Sequence, residues 1–208
     1  MIKLEHTEVL NMAAAIRGMR NPMQSWDQSD SSSVDAKNRA RVFRLGPNDL
    51  KLAQRLVNAG SDERKFMRQI FVSVDITAPL YWWKEYDTYK VGTVANSTST
   101  MHKIHAKPFS RDDFSCERMT PTALACLDFT IKVLEARRLD YVETKDPAAW
   151  NDMIQLLPTS YNQTRTCTLN YENLLNQYHA RKAHKLEEWR VYCRWAYCLP
   201  EFRDICGL

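Results

Sequence analysis

Apolar residues recur along this chain with two periods. Over residues 68–76 they alternate: Ile70, Val72, Val74 and Ile76 point one way, and Phe71, Ser73 and Asp75 the other. A period of two marks a half-buried strand. Elsewhere the spacing is three to four. Leu124, Leu127, Ile131 and Leu134 form one stripe of a long amphipathic helix opened by Pro121. Leu50, Leu52, Leu56 and Val57 predict another, with Gly60 as its stop. Pro79 opens a helix crowded with aromatics up to Lys90, and a shorter helix over 147–157 is broken by Pro158. Residues 159–168, rich in Thr and Tyr, are expected to be extended, and two last helices cover 171–181 and 184–199. At the start, residues 2–4 read as a short strand, after which Thr7 caps a helix through Val9, Leu10, Ala13, Ala14 and Ile16. From Asn21 to about Asn48 the chain is polar and reads mostly as a long loop, a length usually reserved for functional or mobile segments. Helices mixed with separate strands, and no internal repeat, predict an α+β fold in a single domain over 1–208.

Composition narrows this picture only slightly. Hydrophobic residues make up 44% and charged residues 26%, an ordinary globular balance. The net charge of +4 suits an anionic ligand such as a nucleotide and is too weak to argue for nucleic acid. Six cysteines form no CxxC pair and no zinc-binding spacing, so they are expected to be small buried apolar groups. The first residues show no cleavage pattern, and no stretch is apolar enough for a membrane span. A reduced, cytoplasmic protein is expected.

Three places could carry chemistry. The segment from Lys90 to His105 gathers Lys90, Gly92, Thr93, Asn96, Ser97, Thr98, Ser99, Thr100 and His102. Hydroxyls, amides and exposed backbone N–H groups suit a phosphate or sugar, and they equally suit a solvated loop. It is not a P-loop, and no metal-ligating set stands out around its two histidines. Arg181 shares a helix face with Leu174 and Tyr178, which puts a guanidinium at the end of an apolar stripe. It either points into a cavity to meet an anion or carbonyl, or favours the helix C-terminus and solvent. The aromatic helix with Tyr81, Trp82, Trp83, Tyr86 and Tyr89 could stack on a flavin or base, though such rings are more often core or interface.

The C-terminal third carries a resemblance. Leu157-Pro158, an extended segment ending in Thr168-Leu169-Asn170, a helix with Asn176, then Arg181, His184 and Glu187-Glu188-Trp189 resemble the signature of flavin-dependent thymidylate synthases. The opening Leu4-Glu5-His6-Thr7 and the strand leading to Pro79 are similar too, so the likeness covers nearly the whole chain. It implies that family's α+β fold, a small antiparallel sheet with packed helices. It implies methyl transfer to a pyrimidine nucleotide of dUMP type, a folate methylene donor, FAD hydride and a homotetramer with the aromatic helix at an interface. By the same resemblance Arg181 polarises the pyrimidine. Tyr89, Lys90, Asn170, Asn176 and His184 are flavin-side positions, and Glu85, Thr93, Thr98, Ser99, Thr100 and Arg181 are substrate-side. The family's RHRxxSxNxxSxR motif falls on 88–100 in altered form. Its first and last arginines are Thr88 and Thr100, its histidine is Tyr89, its asparagine is Ala95, and both serines are threonines, Thr93 and Thr98. Two further family arginines become Ile154 and Glu172, and a glutamine becomes Glu85. Those arginines hold phosphates in the family. Lys103, Lys107, Arg111 and His102 are candidates to replace them. The alternative reading is a non-catalytic nucleotide- or ligand-binding protein that keeps the fold without the flavin chemistry.

Overall fold

The computed structural model of the chain describes residues 2–35 and 41–208. In chain order the elements are β1 (Lys3–Leu10), α1 (Met12–Gly18), β2 (Ser32–Asp35), β3 (Arg41–Arg44), α2 (Pro47–Ala59), β4 (Phe71–Pro79) and α3 (Leu80–Tyr86). Then come β5 (Val94–Ser97), α4 (Pro121–Thr144), α5 (Pro147–Leu156), β6 (Asn162–Asn170), α6 (Tyr171–Arg181), α7 (Glu187–Tyr197) and α8 (Phe202–Cys206). One sheet runs in the order β1-β4-β6-β5, and β2 pairs antiparallel with β3. The α+β class with a small antiparallel sheet and packed helices is as expected.

The alternation read over 68–76 is realised in β4 and the residue before it: Ile70, Val72, Val74 and Ile76 are fully buried. The start of the chain differs from expectation. Thr7, Val9 and Leu10 lie in β1, and the helix begins only at Met12. Thr and Val favour extended backbone. Asn11 breaks the strand in a left-handed conformation (φ 68°), fixed by its amide donating to the Gln69 carbonyl at 2.9 Å. The aromatic helix is also shorter than expected. It closes at Tyr86, where the Thr88 hydroxyl donates to the Glu85 carbonyl at 2.7 Å.

The expected long loop over 21–48 contains two 3-10 turns and the β2–β3 pair; its residues 36–40 lie outside the described residues. Two aspartates order much of the rest. Asp30 accepts from the backbone of Asn48 (2.8 Å) and Asp49 (3.1 Å), capping α2 from a distance. A Cβ on Gly46 would sit 2.2 Å from the Asp30 carboxylate, so that position admits only glycine. Asp49, fully buried, accepts from Ser29 Oγ, the Ser31 N–H and Arg20 Nε, the last at 2.5 Å.

The chain divides into two compact units, with β4 and β6 contributing residues to both. One holds residues 75–88 and 95–166. Its core joins Ile104, Phe109, Phe114, Leu127, Leu134 and Met153, with Ile154 and Tyr161 packed against them. Trp82, Trp83 and Tyr86 are buried there too, the tryptophan rings edge-on at 4.9 Å. The aromatic helix is therefore core, not an exposed interface. The second unit holds residues 4–74, 89–94 and 167–208. Ile16, Met67, Leu174, Trp189, Tyr192 and Phe202 are buried in it, and Tyr171 stands edge-on to Phe202 at 5.1 Å. Of the six unbridged cysteines, Cys167, Cys193 and Cys206 are buried as expected. Cys126 and Cys198 are exposed, because the first lies on the outward side of α4 and the second just past the end of α7.

Candidate functional site

The second unit gathers most of the singled-out residues around α6. Asn170 caps this helix in a reciprocal box with Asn173: each side-chain carbonyl accepts from the other's backbone N–H, at 3.0 and 3.2 Å. The Asn173 amide then donates to the Val91 carbonyl at 2.8 Å. This docks the turn 89–93 against the start of α6. Gly92, at φ 74°, allows the approach; a Cβ there would lie 3.2 Å from the Asn170 amide nitrogen. The Thr93 hydroxyl closes the turn on the Tyr89 carbonyl at 3.0 Å.

The turn thereby aims Tyr89 at the far end of α6. Arg181 Nε donates to the Tyr89 hydroxyl at 2.7 Å. The guanidinium carbon lies 5.6 Å from the Tyr89 ring centre and 5.3 Å from that of Trp189. The two rings touch each other edge-on at 6.0 Å, so the half-buried guanidinium sits against the pair, which suits a planar guanidinium better than an ammonium. His184 stacks edge-on to Trp189 at 6.4 Å, and its Nδ1 accepts from the Leu186 N–H. Chemically this is a planar fork of N–H donors beside flat apolar surfaces. Such an arrangement recognises a carbonyl-bearing ring and stabilises charge developing on its oxygen.

Other expected residues are placed differently. Asn176 is exposed and accepts from Arg64 Nη2 at 3.2 Å. Lys90 is exposed on the turn. Glu85, Thr98, Ser99 and Thr100 belong to the first unit. There the Thr98 N–H donates to the Thr164 carbonyl (2.9 Å), its carbonyl accepts from Gln163 Nε2 (2.7 Å), and its hydroxyl accepts from the Thr164 N–H (3.3 Å). The Ser99 hydroxyl accepts from the backbone of Met101 and His102. Glu85 is half-buried on α3, and Thr100 is half-buried beside Ser99. Much of the hydroxyl-rich segment therefore serves its own backbone.

The altered arginine positions have structural answers. Ile154 packs against the core of the first unit. Glu172 binds Arg64 at 2.9 Å and, more closely still, Arg68. Burial pulls the Glu172 carboxyl upward, but Arg68 and Arg64 outweigh it and hold it below the ordinary value. Two of the four suggested replacement cations are committed elsewhere: Lys107 to Asp113, and Arg111 to Asp128. Burial pushes the Cys193 thiol up to about 11, with Arg181 opposing, and Cys206 up to about 12, so neither is a thiolate nucleophile. Sequence reasoning missed Asn173 and the Arg64–Glu172–Arg68 cluster. The first was signalled by its place three residues after a capping Asn, whereas the second joins residues over 100 positions apart and left no local signal.

No family model matches the chain, and no curated protein matches it. Solved structures do. Thymidylate synthase X from Helicobacter pylori with FAD and dUMP superposes with a TM-score of 0.70 at 15% identity, over 99% of this chain and 97% of that one. The fold is that of flavin-dependent thymidylate synthases. A second structure of the Helicobacter pylori enzyme complexed with FAD and dUMP gives 0.67 at 15% identity, over 99% and 96%. The UMP/dUMP methylase PolB from Streptomyces cacaoi, bound with 5-Br dUMP, gives 0.66 at 11% identity, over 100% and 95%. At such identities the likeness speaks for the fold, and this chain's chemistry must be argued from its residues. Among the described residues no helix is long and apolar enough to cross a membrane.

Proposed function

We propose that this chain binds a pyrimidine nucleotide of dUMP or UMP type at Arg181 and is a divergent flavin-dependent nucleotide methyltransferase. The observation that carries the reading is the placing of Arg181, with Nε on the Tyr89 hydroxyl and the guanidinium beside the Tyr89 and Trp189 rings. Arg181 would draw electron density from a pyrimidine carbonyl, and Tyr89 would fix the plane in which the fork is offered. Trp189 and His184 would keep water from that carbonyl. For the phosphates of FAD the cation of this turn is Lys90, with Asn170 and Asn173 already closed on each other. Bound FAD would supply the hydride, and a folate the methylene. Phe129 on α4 is 69% exposed and Leu139 54%, apolar surface that a second copy would cover, in keeping with a homo-oligomer.

A second reading, nucleotide binding without turnover, is favoured by one observation. The Thr98 backbone and the Thr98 and Ser99 hydroxyls are engaged within the first unit rather than presented to a phosphate. Two titrations separate the readings. The visible spectrum with added FAD should show a bound, perturbed flavin band, and calorimetry should show dUMP or UMP binding that Arg181→Ala removes. Nucleotide binding with no flavin uptake selects the second reading, and no nucleotide binding at all sinks both.

A further inference from the structure

We infer that the groove between α6 and α7 is a separate ligand site, for a small aromatic molecule carrying an anionic group. The groove encloses about 440 Å³, inside the roughly 300–1,000 Å³ range of small-molecule sites. Its walls are Tyr178 of α6 and Tyr197 of α7, whose rings stand 6.3 Å apart and 25° from parallel. The two rings stack on one another and give the groove an aromatic wall against which a flat ring can pack.

Charge selects among flat rings. Lys182, Arg190 and Arg194 all line this groove. Among the ion pairs of the three, the carboxylate is Glu187, 2.9 Å from Arg194 Nη2 and 2.9 Å from Arg190 Nε. Three cations thus line the groove, and Glu187, which is not part of the lining, pairs with two of them. Side-chain hydrogen bonds from Arg194 and Arg190 hold the Glu187 carboxyl down to about 2, so this pairing does not change over the working pH range. Arg190 also donates to the His184 carbonyl at 2.9 Å, which ties it to the turn after α6. Lys182 is exposed, its ammonium 5.5 Å above the Tyr178 ring. It and Arg194 are the cations placed to meet an anion attached to a stacked ring. Phosphate and carboxylate share this chemistry.

The groove adjoins the Arg181 site but is not lined by Arg181. Arg181 lies three residues beyond Tyr178 on α6 and faces Tyr89 and Trp189, neither of which lines the groove. Cys198, exposed, stands in the groove, while Cys126, also exposed, lies on α4. This provides an internal control.

The test is alkylation of the full-length protein with iodoacetamide, read by peptide mass spectrometry, with AMP or folic acid as probe. A saturating probe is expected to slow labelling of Cys198 several-fold and leave Cys126 unchanged. Protection by AMP alone assigns a phosphate, and protection by folic acid alone assigns carboxylates. Lys182→Glu, a change on an exposed side chain, should weaken the protecting ligand by roughly tenfold or more. It should leave dUMP binding at Arg181 intact, and Arg181→Ala should leave Cys198 protection intact. Unchanged Cys198 labelling with both probes overturns the inference. So does protection that survives Lys182→Glu at the same concentration but disappears in Arg181→Ala, which would place the ligand at the bracket instead.

Discussion

Arg20 and Arg181 sit in the same compact unit and are held in opposite ways. Around Arg20 everything is closed. The side chain is 3% exposed, its partner Asp49 is fully buried, and the carboxylate is filled by Arg20, Ser29 and backbone N–H groups from 30 and 31. Around Arg181 the cation is half-buried, and its Nε donates to the neutral Tyr89 hydroxyl beside the Trp189 ring. A carboxylate partner neutralises an arginine and makes it part of the fold. A tyrosine hydroxyl orients an arginine without itself neutralising it. The comparison predicts that removing the partner at one place breaks stability, and at the other place breaks recognition.

The largest effect belongs to the first region. Asp49→Ala leaves the Arg20 guanidinium buried without its counter-charge, and unfolding free energy should fall by about 3–5 kcal/mol, read by urea denaturation. Burial pulls the Asp49 carboxyl upward, yet hydrogen bonds from Ser31, Ser29 and Arg20 outweigh it and hold it below its ordinary value. A depressed folded value means the unfolded state binds more protons at intermediate pH. This part of the stability is therefore complete above about pH 4 and is lost as pH falls through the folded value. Asp49→Asn should lack that acid-dependent component. A loss below about 1 kcal/mol in Asp49→Ala would remove the contrast between the two arginines.

Arg181→Ala is the counterpart. Nucleotide affinity should drop by about 1.5–3 kcal/mol, the worth of a hydrogen bond to a charged group. Unfolding free energy should fall by less than in Asp49→Ala, since Arg181 is half-buried whereas Arg20 is closed off from solvent. A large stability loss with dUMP binding unchanged would move Arg181 into the same class as Arg20.

How far these regions were legible in sequence follows from how local their causes are. β4 was legible because its alternation is intrinsic to the strand, and Ile70, Val72, Val74 and Ile76 needed no distant partner to declare their side. α6 and Arg181 were legible because helical spacing and a capping Asn are local signals. The Tyr89 bracket was not, because it joins positions 92 residues apart through a turn shaped by Gly92 and Asn173. The hydroxyl segment was ambiguous for a related reason. A threonine offers the same hydroxyl to a ligand or to its own sheet, and only the pairing of Thr98 with Thr164 decides. The long polar stretch after Asn21 misled because two aspartates, 30 and 49, order it through side-chain bonds that no periodicity records.

The turn offers a sharper cut at the second region. Gly92→Ala places a side chain at φ 74° and a Cβ 3.2 Å from the Asn170 amide nitrogen. It should cost about 1–2 kcal/mol of stability, because left-handed backbone disfavours a Cβ. The turn bearing Tyr89 should shift with it, so nucleotide affinity should fall as well. Lost stability with unchanged affinity would separate the turn from recognition.

The smallest effect is the most discriminating. Tyr89→Phe keeps the ring that brackets Arg181 and removes only the hydroxyl that accepts from Nε. Nucleotide affinity should fall by about 0.5–1.5 kcal/mol, with little change in stability. The question is whether Tyr89 acts through Arg181 or touches the ligand itself, and a double-mutant cycle answers it. If Tyr89 only positions Arg181, then Tyr89→Phe added to Arg181→Ala should cost nothing further, because there is no guanidinium left to orient. If the two losses simply add, Tyr89 makes its own contact with the nucleotide. The hydroxyl that sets Arg181 apart from Arg20 would then be a binding group rather than a guide.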